Sequence, residues 1–311
     1  MLKIGGIMLK NRLLLAPMAG ITDLPFRKLC RHFGAALAYG EMVTADQRLW
    51  RTEKTRKRLN YSGEPKPIAA QLLGAEPKAL AEAARALVDQ GVDLIDFNAG
   101  CPAKKVCRTG AGAALLQREI QLGRLLETLV NAVSVPVTLK IRTGWSPAER
   151  NAMKIARIAR ESGIAALSIH GRTARCSYGE PAEYETIRAV KAVVKLPIIA
   201  NGDIDSPQKA AWVLDYTGAD GLMIGRAARG RPWVFREILQ ALGESLPPWD
   251  PVAVMEAHLN ALCRFYGRER GLRIARKHRA WYAENLQDFS PVQLGLPVYE
   301  CHSSRTDQRL R

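Results

Sequence analysis

The sequence predicts a (β/α)8 barrel followed by a small C-terminal helical domain. Three observations predict it. Eight short apolar runs alternate with longer amphipathic stretches, and strands alternating with helices imply parallel pairing through right-handed crossovers. The eight units occupy roughly 230 residues, close to the ~250 of a typical eight-fold barrel. The rival, an open doubly wound sheet, advertises a glycine-rich fingerprint after its first strand. Here that place holds Met18-Ala19-Gly20-Ile21-Thr22, Gly110-Ala111-Gly112 lacks a third glycine, and no phosphate-loop motif occurs.

The predicted strands, in order, are residues 13–17, 35–41, 68–73, 94–98, 135–142, 166–170, 196–201 and 221–225. Between them, segments 77–90, 149–162, 182–194 and 207–217 carry apolar residues at helical spacing. Pro147 and Pro207 suit the first turn of a helix, where the missing N–H costs nothing. Gly91, Gly163 and Gly218 suit C-terminal caps. Three prolines, Pro247, Pro248 and Pro251, then stop the pattern within five residues. The predicted organisation is a barrel domain over 1–243, a proline-rich linker over 244–251, a helical domain over 252–286 and an irregular tail over 287–311, interrupted by Pro291, Gly295 and Pro297.

Composition sets the class of partner. The 311 residues are 47% hydrophobic and 24% charged, ordinary for a globular chain and unlike a disordered polyelectrolyte. Forty-six Lys and Arg against thirty Asp and Glu leave a formal charge of +16 and a sequence pI near 9.8. Such an excess favours an anionic partner, nucleic acid or an acidic membrane surface. No apolar run approaches a membrane span, and the first dozen residues lack the apolar region of a secretory signal. Cys30, Cys101, Cys107, Cys176, Cys263 and Cys301 form no Cys-x-x-Cys pair, and the five histidines form no zinc-binding motif. The expectation is a reduced, cytoplasmic protein without metal, in which five of the six cysteines are small core residues.

Chemistry in such a barrel belongs at the C-terminal ends of the strands. Nearly every predicted strand ends there in a polar residue or glycine: Pro17-Met18-Ala19-Gly20, Glu41, Gln71, Asn98-Ala99-Gly100-Cys101, Lys140 with Arg142, His170-Gly171-Arg172, Asn201-Gly202-Asp203 and Gly225-Arg226. Lys140 sits inside an apolar strand, where a lysine is costly unless paired or facing an anionic ligand. Asn201-Gly202-Asp203 and Gly225-Arg226 close strands seven and eight, the usual place for a phosphate in this fold. Gln71 and His170 can hydrogen-bond a planar heterocycle. Cys101 lies just beyond strand four beside Lys104 and Lys105. A free thiol is mostly protonated at neutral pH, so Cys101 suits proton donation as well as nucleophilic attack.

Several motifs in fixed order resemble the tRNA-dihydrouridine synthases, most nearly their bacterial B-type subfamily. They are Ala-Pro-Met-Ala-Gly-Ile-Thr-Asp at 16–23, Asn-Ala-Gly-Cys-Pro-Ala-Lys-Lys at 98–105, Leu-Lys-Ile-Arg-Thr-Gly-Trp at 139–145, His-Gly-Arg-Thr at 170–173, Ala-Asn-Gly-Asp at 200–203, Ile-Gly-Arg-Ala-Ala at 224–228 and Arg-Ile-Ala-Arg-Lys-His at 273–278. The resemblance implies an FMN-bound barrel that reduces the C5=C6 bond of a D-loop uridine in tRNA, position 17 by subfamily, with NADPH as reductant. It implies that Pro17, Met18 and Ala19 line the flavin, that Gln71, Lys140 and His170 lie at its ring, and that Asn201, Gly202, Asp203, Gly225 and Arg226 form its phosphate end. Asn98, Lys104 and Arg172 then face the substrate. Cys101 delivers a proton to C5 after hydride reaches C6, the electron-poor end of the uracil enone.

An RNA substrate gives the basic stretches a role. Residues 264–279 hold seven cations against Glu269 alone, among them Arg273, Arg276 and Lys277, which are expected on phosphates. Residues 48–66 hold seven against Glu53 and Glu64; these read equally well as a solvated face. Trp281 and Tyr282 fit base stacking or core packing. The chain departs from the family near Asn285, where further helix gives way to a Pro- and Gly-containing end. A helical domain short of its last helix exposes apolar surface, which predicts weaker tRNA affinity or poor solubility. Two other functions share parts of this pattern: a small-molecule FMN ene-reductase of the dihydroorotate-dehydrogenase kind, and a non-catalytic tRNA-binding protein. The charge argues against the first, and Cys101 against the second.

Overall fold

The computed structural model describes residues 1–177 and 179–286. The chain divides into two compact units, one of residues 1–228 with 232–245, the other of 229–231 with the chain from 246 onward.

The first unit opens with a hairpin of β1 (Leu2–Ile4) and β2 (Ile7–Leu9), turned by Gly5 at φ +56°. β3 (Leu13–Leu15), α1 (Leu24–His32), β4 (Leu37–Ala38), β5 (Val43–Thr44), α2 (Glu53–Arg58), β6 (Ala69–Leu73), α3 (Pro77–Asp89), β7 (Leu94–Ala99) and α4 (Lys104–Cys107) follow. Then come α5 (Glu119–Ala132), β8 (Val137–Arg142), α6 (Ala152–Glu161), β9 (Ala166–His170), α7 (Glu185–Val193), β10 (Ile198–Asn201), α8 (Pro207–Thr217), β11 (Gly221–Ile224) and α9 (Val234–Ala241). The large sheet is parallel throughout, in the order β4-β3-β11-β10-β9-β8-β7-β6-β5. β4 and β5 are two halves of one stave. Tyr39, between them, bridges to Ala69 of β6 and closes the ring at eight staves.

Local chemistry explains the elements. β7 is buried along its whole length, as a parallel strand covered on both faces must be. α3 buries Leu80, Ala83, Ala84 and Leu87 in one helical stripe. Its start is capped by Glu76, which accepts from the Ala79 amide at 2.6 Å. Each buried leucine contributes about 2 kcal/mol, so Leu80→Ala opens a cavity under this helix. Ser206 caps α8 ahead of Pro207, and Gly218 ends it at φ +64°.

Three features differ from the sequence reading. The N-terminal hairpin is not among the predicted elements; Leu2, Ile4 and Leu9 join Leu14, Tyr39, Leu94, Ile199 and Met223 in one core cluster, plugging the end of the barrel opposite the strand C-termini. Its three-residue strands are too short to show an alternating pattern. Pro147 is not in a helix: Ser146 and Glu149 bridge around it, and α6 begins only at Ala152. Gly144 permits that turn, since a Cβ there would meet the Glu149 carbonyl oxygen at 2.1 Å. Of the cysteines expected in the core, only Cys30 and Cys263 are buried, while Cys107 and Cys176 are half-buried and Cys301 lies outside the described residues.

The second unit contains α10 (Pro251–Tyr266) and α11 (Arg268–Asn285). Met255, His258, Leu259, Leu262 and Cys263 are buried on one helix, Gly271, Ala275, His278 and Tyr282 on the other. Gly271 allows the close approach, because a Cβ there would come within 2.5 Å of Cys263 Cα. His258 Nδ1 lies 3.0 Å from the Tyr282 hydroxyl. Burial drives the His258 imidazole down to about 3 and the His278 imidazole to about 2. Tyr282 is therefore a core residue, and Trp281 is half-buried with the Arg229 guanidinium 4.9 Å from its ring centre. The tail expected over 287–311, and the consequences drawn from it, lie outside the described residues.

Candidate active site at the barrel mouth

Alternation along the strands builds the mouth in layers. Asp96 and Asn98 of β7 point inward, as do Thr138 and Lys140 of β8; Gln71 of β6 pairs in register with Asp96, and Asn98 with Lys140. Three connected groups of side chains result.

The first group runs through amides. The buried Asp96 carboxylate accepts from Thr138 Oγ1 at 2.7 Å and from Gln71 Nε2 at 2.6 Å. Gln71 Oε1 accepts from Asn98 Nδ2 at 2.8 Å. Asn98 Oδ1 in turn accepts the amides of Gly100 at 3.1 Å and Cys101 at 2.9 Å. The Cys101 carbonyl is held by the Ala113 amide at 2.9 Å and faced by Cys107 Sγ at 3.6 Å. Gly112, at φ +62°, makes room for it, since a Cβ would meet that carbonyl oxygen at 2.7 Å. Arg142 Nε donates to the Gly100 carbonyl at 3.1 Å. The half-buried Cys101 thus rides on a loop fixed from three directions.

The second group centres on Asn201. Its Oδ1 accepts from Lys140 Nζ at 2.9 Å and lies 2.9 Å from His170 Nδ1; its Nδ2 donates to the Met223 carbonyl at 2.7 Å. Burial lowers the Lys140 ammonium to about 8, with Asp96 opposing the shift. Burial, helped by the Lys140 and Arg142 charges, lowers His170 to about 3, so its ring is neutral. Nδ1 then carries the proton toward Asn201, leaving Nε2 to accept from Arg172 Nη1 at 3.2 Å.

The third group is ionic. Asp203 pairs with Arg172 Nη2 at 2.5 Å and with Arg226 Nη2 at 2.6 Å, and accepts the Ala182 amide at 2.9 Å. Burial pushes its carboxyl up, but these partners hold it below the ordinary carboxylate range. Asp203 sits at φ +46° directly after Gly202 at φ +126°, and a Cβ on Gly202 would strike Ala182 at 2.8 Å. Gly225 lies beside Met18, whose sulfur would be 3.6 Å from a Cβ placed there. The loop of Pro17, Met18 and Ala19 is held by Thr22 Oγ1 on the Met18 amide at 3.0 Å and by Glu41 on the Gly20 amide at 2.6 Å. Arg58 pairs with the same Glu41 carboxylate at 3.0 Å.

All the barrel residues singled out in the sequence fall at this mouth. Arg172 is 3% exposed and bonded to Asp203 and the Glu180 carbonyl. Lys104 is exposed at the start of α4. In the helical unit, Arg273 and Arg276 are exposed and Lys277 half-buried. Sequence reasoning missed Asp96, although an acid inside an apolar strand is the same signal that singled out Lys140.

The dihydrouridine synthase (Dus) family model matches residues 14–294. The chain is 54% identical over 289 residues to tRNA-dihydrouridine synthase B of Xanthomonas axonopodis pv. citri, covering 91% of this chain and 87% of that one. It is 53% identical over 295 residues to tRNA-dihydrouridine synthase B of Escherichia coli K12, covering 93% and 91%. Among solved structures, a 2-naphthoyl-CoA reductase complex superposes with a TM-score of 0.61 at 14% identity, over 76% of this chain and 51% of that one. A variant of NCR from Zymomonas mobilis superposes at 0.55 and 18% identity, over 78% and 91%. At such identities the likeness shows the barrel fold alone.

Proposed function

The chain belongs to the dihydrouridine synthase family, and from that premise we propose that it reduces the C5=C6 bond of a D-loop uridine in tRNA, position 17 by subfamily, using FMN and NADPH. The single observation that carries the reading is the half-buried Cys101 on a loop fixed to Asn98, at the same mouth as a partly buried lysine and a neutral histidine. A binding protein has no need of a held thiol there.

The residues present fit FMN. Lys140 offers a cation and Gln71 a polar edge to a planar ring, beside the neutral imidazole of His170. The glycines at 202 and 225 leave the backbone open beside Arg226, whose side chain is 43% exposed. Pro17, Met18 and Ala19 would line the ring, and Asn201, Gly202, Asp203, Gly225 and Arg226 would hold the phosphate. Asp203 aims Arg226 rather than touching an anion itself. When bound, the flavin supplies a hydride to uracil C6 and is recharged by NADPH.

The rest of the chemistry belongs to the chain. Negative charge developing toward C5 and O4 is met by a proton from the Cys101 thiol at C5. Lys140 would hold positive charge beside the flavin ring, in surroundings where burial strengthens its field. Asn98 faces the base, and Lys104 its backbone. Arg172 serves as a support for Asp203. The base must be turned out of folded tRNA to reach the mouth, at a cost of a few kcal/mol. Contacts from Arg273, Arg276 and Lys277 to phosphates offset that cost. Nucleoside mass spectrometry on tRNA lacking dihydrouridine, after incubation with the protein and NADPH, tests the reading. A gain of two hydrogens at one D-loop uridine supports it; flavin-bound protein that leaves every tRNA uridine unchanged refutes it.

A further inference from the structure

Two ends of the amide chain at the mouth are chemically unambiguous. Asp96, as a carboxylate, can only accept. The Gly100 and Cys101 backbone N–H groups can only donate. Between them lie two side-chain amides, each of which could in principle point either way. Starting from Asp96, Gln71 must turn its NH2 down, so its oxygen faces Asn98 and Asn98 must offer its NH2. Starting from Cys101, Asn98 must turn its oxygen to the loop, so its NH2 again faces Gln71. The two derivations agree, and a single polarity satisfies all three links.

We propose that Asp96 is a positioning residue for the reduction: it fixes the polarity of Gln71 and Asn98 and through them holds the Cys101 thiol where the proton is delivered. The inference rests on the tRNA-reductase reading only for the reaction it serves. Asp96 is fully buried, and both of its oxygens are used, one by Gln71 and one by Thr138. A buried carboxylate whose hydrogen-bond donors Gln71 and Thr138 are both neutral is a poor stabilising device. Burial pushes its carboxyl up to about 6, against the pull of Thr138, Gln71 and Lys140. An asparagine keeps one oxygen and replaces the other by an NH2, so Gln71 and Thr138 can no longer both donate to it and this end of the chain no longer dictates a single polarity.

The test is Asp96→Asn in the FMN-loaded protein. Displacing a reacting group by a fraction of an ångström to 1 Å costs up to about 100-fold, so kcat on tRNA should fall by about that factor. KM for tRNA and flavin content should stay within about twofold, and the melting temperature should not fall. A second readout needs no turnover: the rate at which iodoacetamide alkylates Cys101, read by peptide mass spectrometry. Lys104 and Lys105 separate the tryptic peptides of Cys101 and Cys107, so the two thiols are read apart. Asp96→Asn should change the Cys101 rate severalfold. The reciprocal pair Asp96→Asn with Gln71→Glu rebuilds a chain with one polarity and should restore it, since the carboxylate introduced on β6 accepts from both neighbours. A wild-type kcat and alkylation rate in Asp96→Asn, or an alkylation rate that the reciprocal pair leaves altered, overturns the proposal. If Asp96→Asn does not fold, Gln71→Met cuts the same chain with Asp96 intact, and an unchanged Cys101 rate there overturns it equally. Should tRNA prove not to be the substrate, no variant turns over, and the alkylation series still decides.

Discussion

The two sides of the barrel mouth are held by different physics. On the side of β6 and β7, neutral amides run from Asp96 to the Cys101 loop, each link short and directional. On the side of β10 and β11, Asp203 gathers two guanidinium groups, one buried and one exposed. Hydrogen-bonded amides fix direction, because a reversed amide sets like against like. Ion pairs fix charge but tolerate angle. The first side therefore suits a group that must reach one carbon atom, and the second suits an anion that must be retained. The difference teaches that this mouth separates geometry from charge, and each side should fail in its own way.

The largest expected effect sharpens that contrast. Cys101→Ala should lower turnover about 1,000-fold, the scale of a lost general acid, while flavin and tRNA still bind. Loss of flavin instead would join the two sides and break the comparison. Asp203→Asn should act on the other side only. Losing a charged partner to Arg172 and Arg226 should weaken FMN retention about 10- to 100-fold, measured by flavin release, with the Cys101 alkylation rate unchanged. A shift in that rate would show that the sides are coupled.

Smaller effects test the helical unit against the barrel. Arg273→Glu with Arg276→Glu should raise KM for tRNA about tenfold and reduce the slope of log affinity against log salt by about two. An unchanged slope would return those arginines to the category of solvated surface. The last prediction follows from opposite pKa shifts. His258 and His278 fall to about 3 and 2, below the ~6.5 of a free imidazole. As pH drops below about 6.5 the unfolded chain takes protons the folded unit refuses, and stability falls by about 1.4 kcal/mol per pH unit for each histidine. Asp96, raised to about 6, has the opposite sign: the folded barrel takes its proton first, so acid lessens its cost. Hydrogen exchange at pH 5 against pH 7, corrected for intrinsic rates, should show α10 and α11 losing protection. Equal protection at both values would mean the two imidazoles are protonated in the folded unit.

Much of this was legible in the sequence because the barrel repeats one rule. Eight apolar runs ending in polar residues or glycine marked both the staves and their functional ends, and Gln71, Lys140, His170 and Asn201 stood there to be read. The break between β4 and β5 was invisible, since the run over 35–41 reads as one strand and only the bridge from Tyr39 to Ala69 shows where it turns. Pro147 misled because proline opens turns as readily as helices. Asp96 carried a local signal that went unread, and the partners that give it a role lie 25 and 42 residues away.

By itself the sequence determined the alternation of strand and helix, the chemical types at the strand ends and the cationic excess, because periodicity, residue chemistry and charge are local or additive properties. Only the tertiary structure decided which of those residues touch. The register of β6, β7 and β8 set Asp96 between Gln71 and Thr138, and the meeting of β9, β10 and β11 brought His170, Asn201 and Met223 together. Closure of the ring fixes such neighbours at a distance, and burial then sets their charge states. Neither can be counted along the chain.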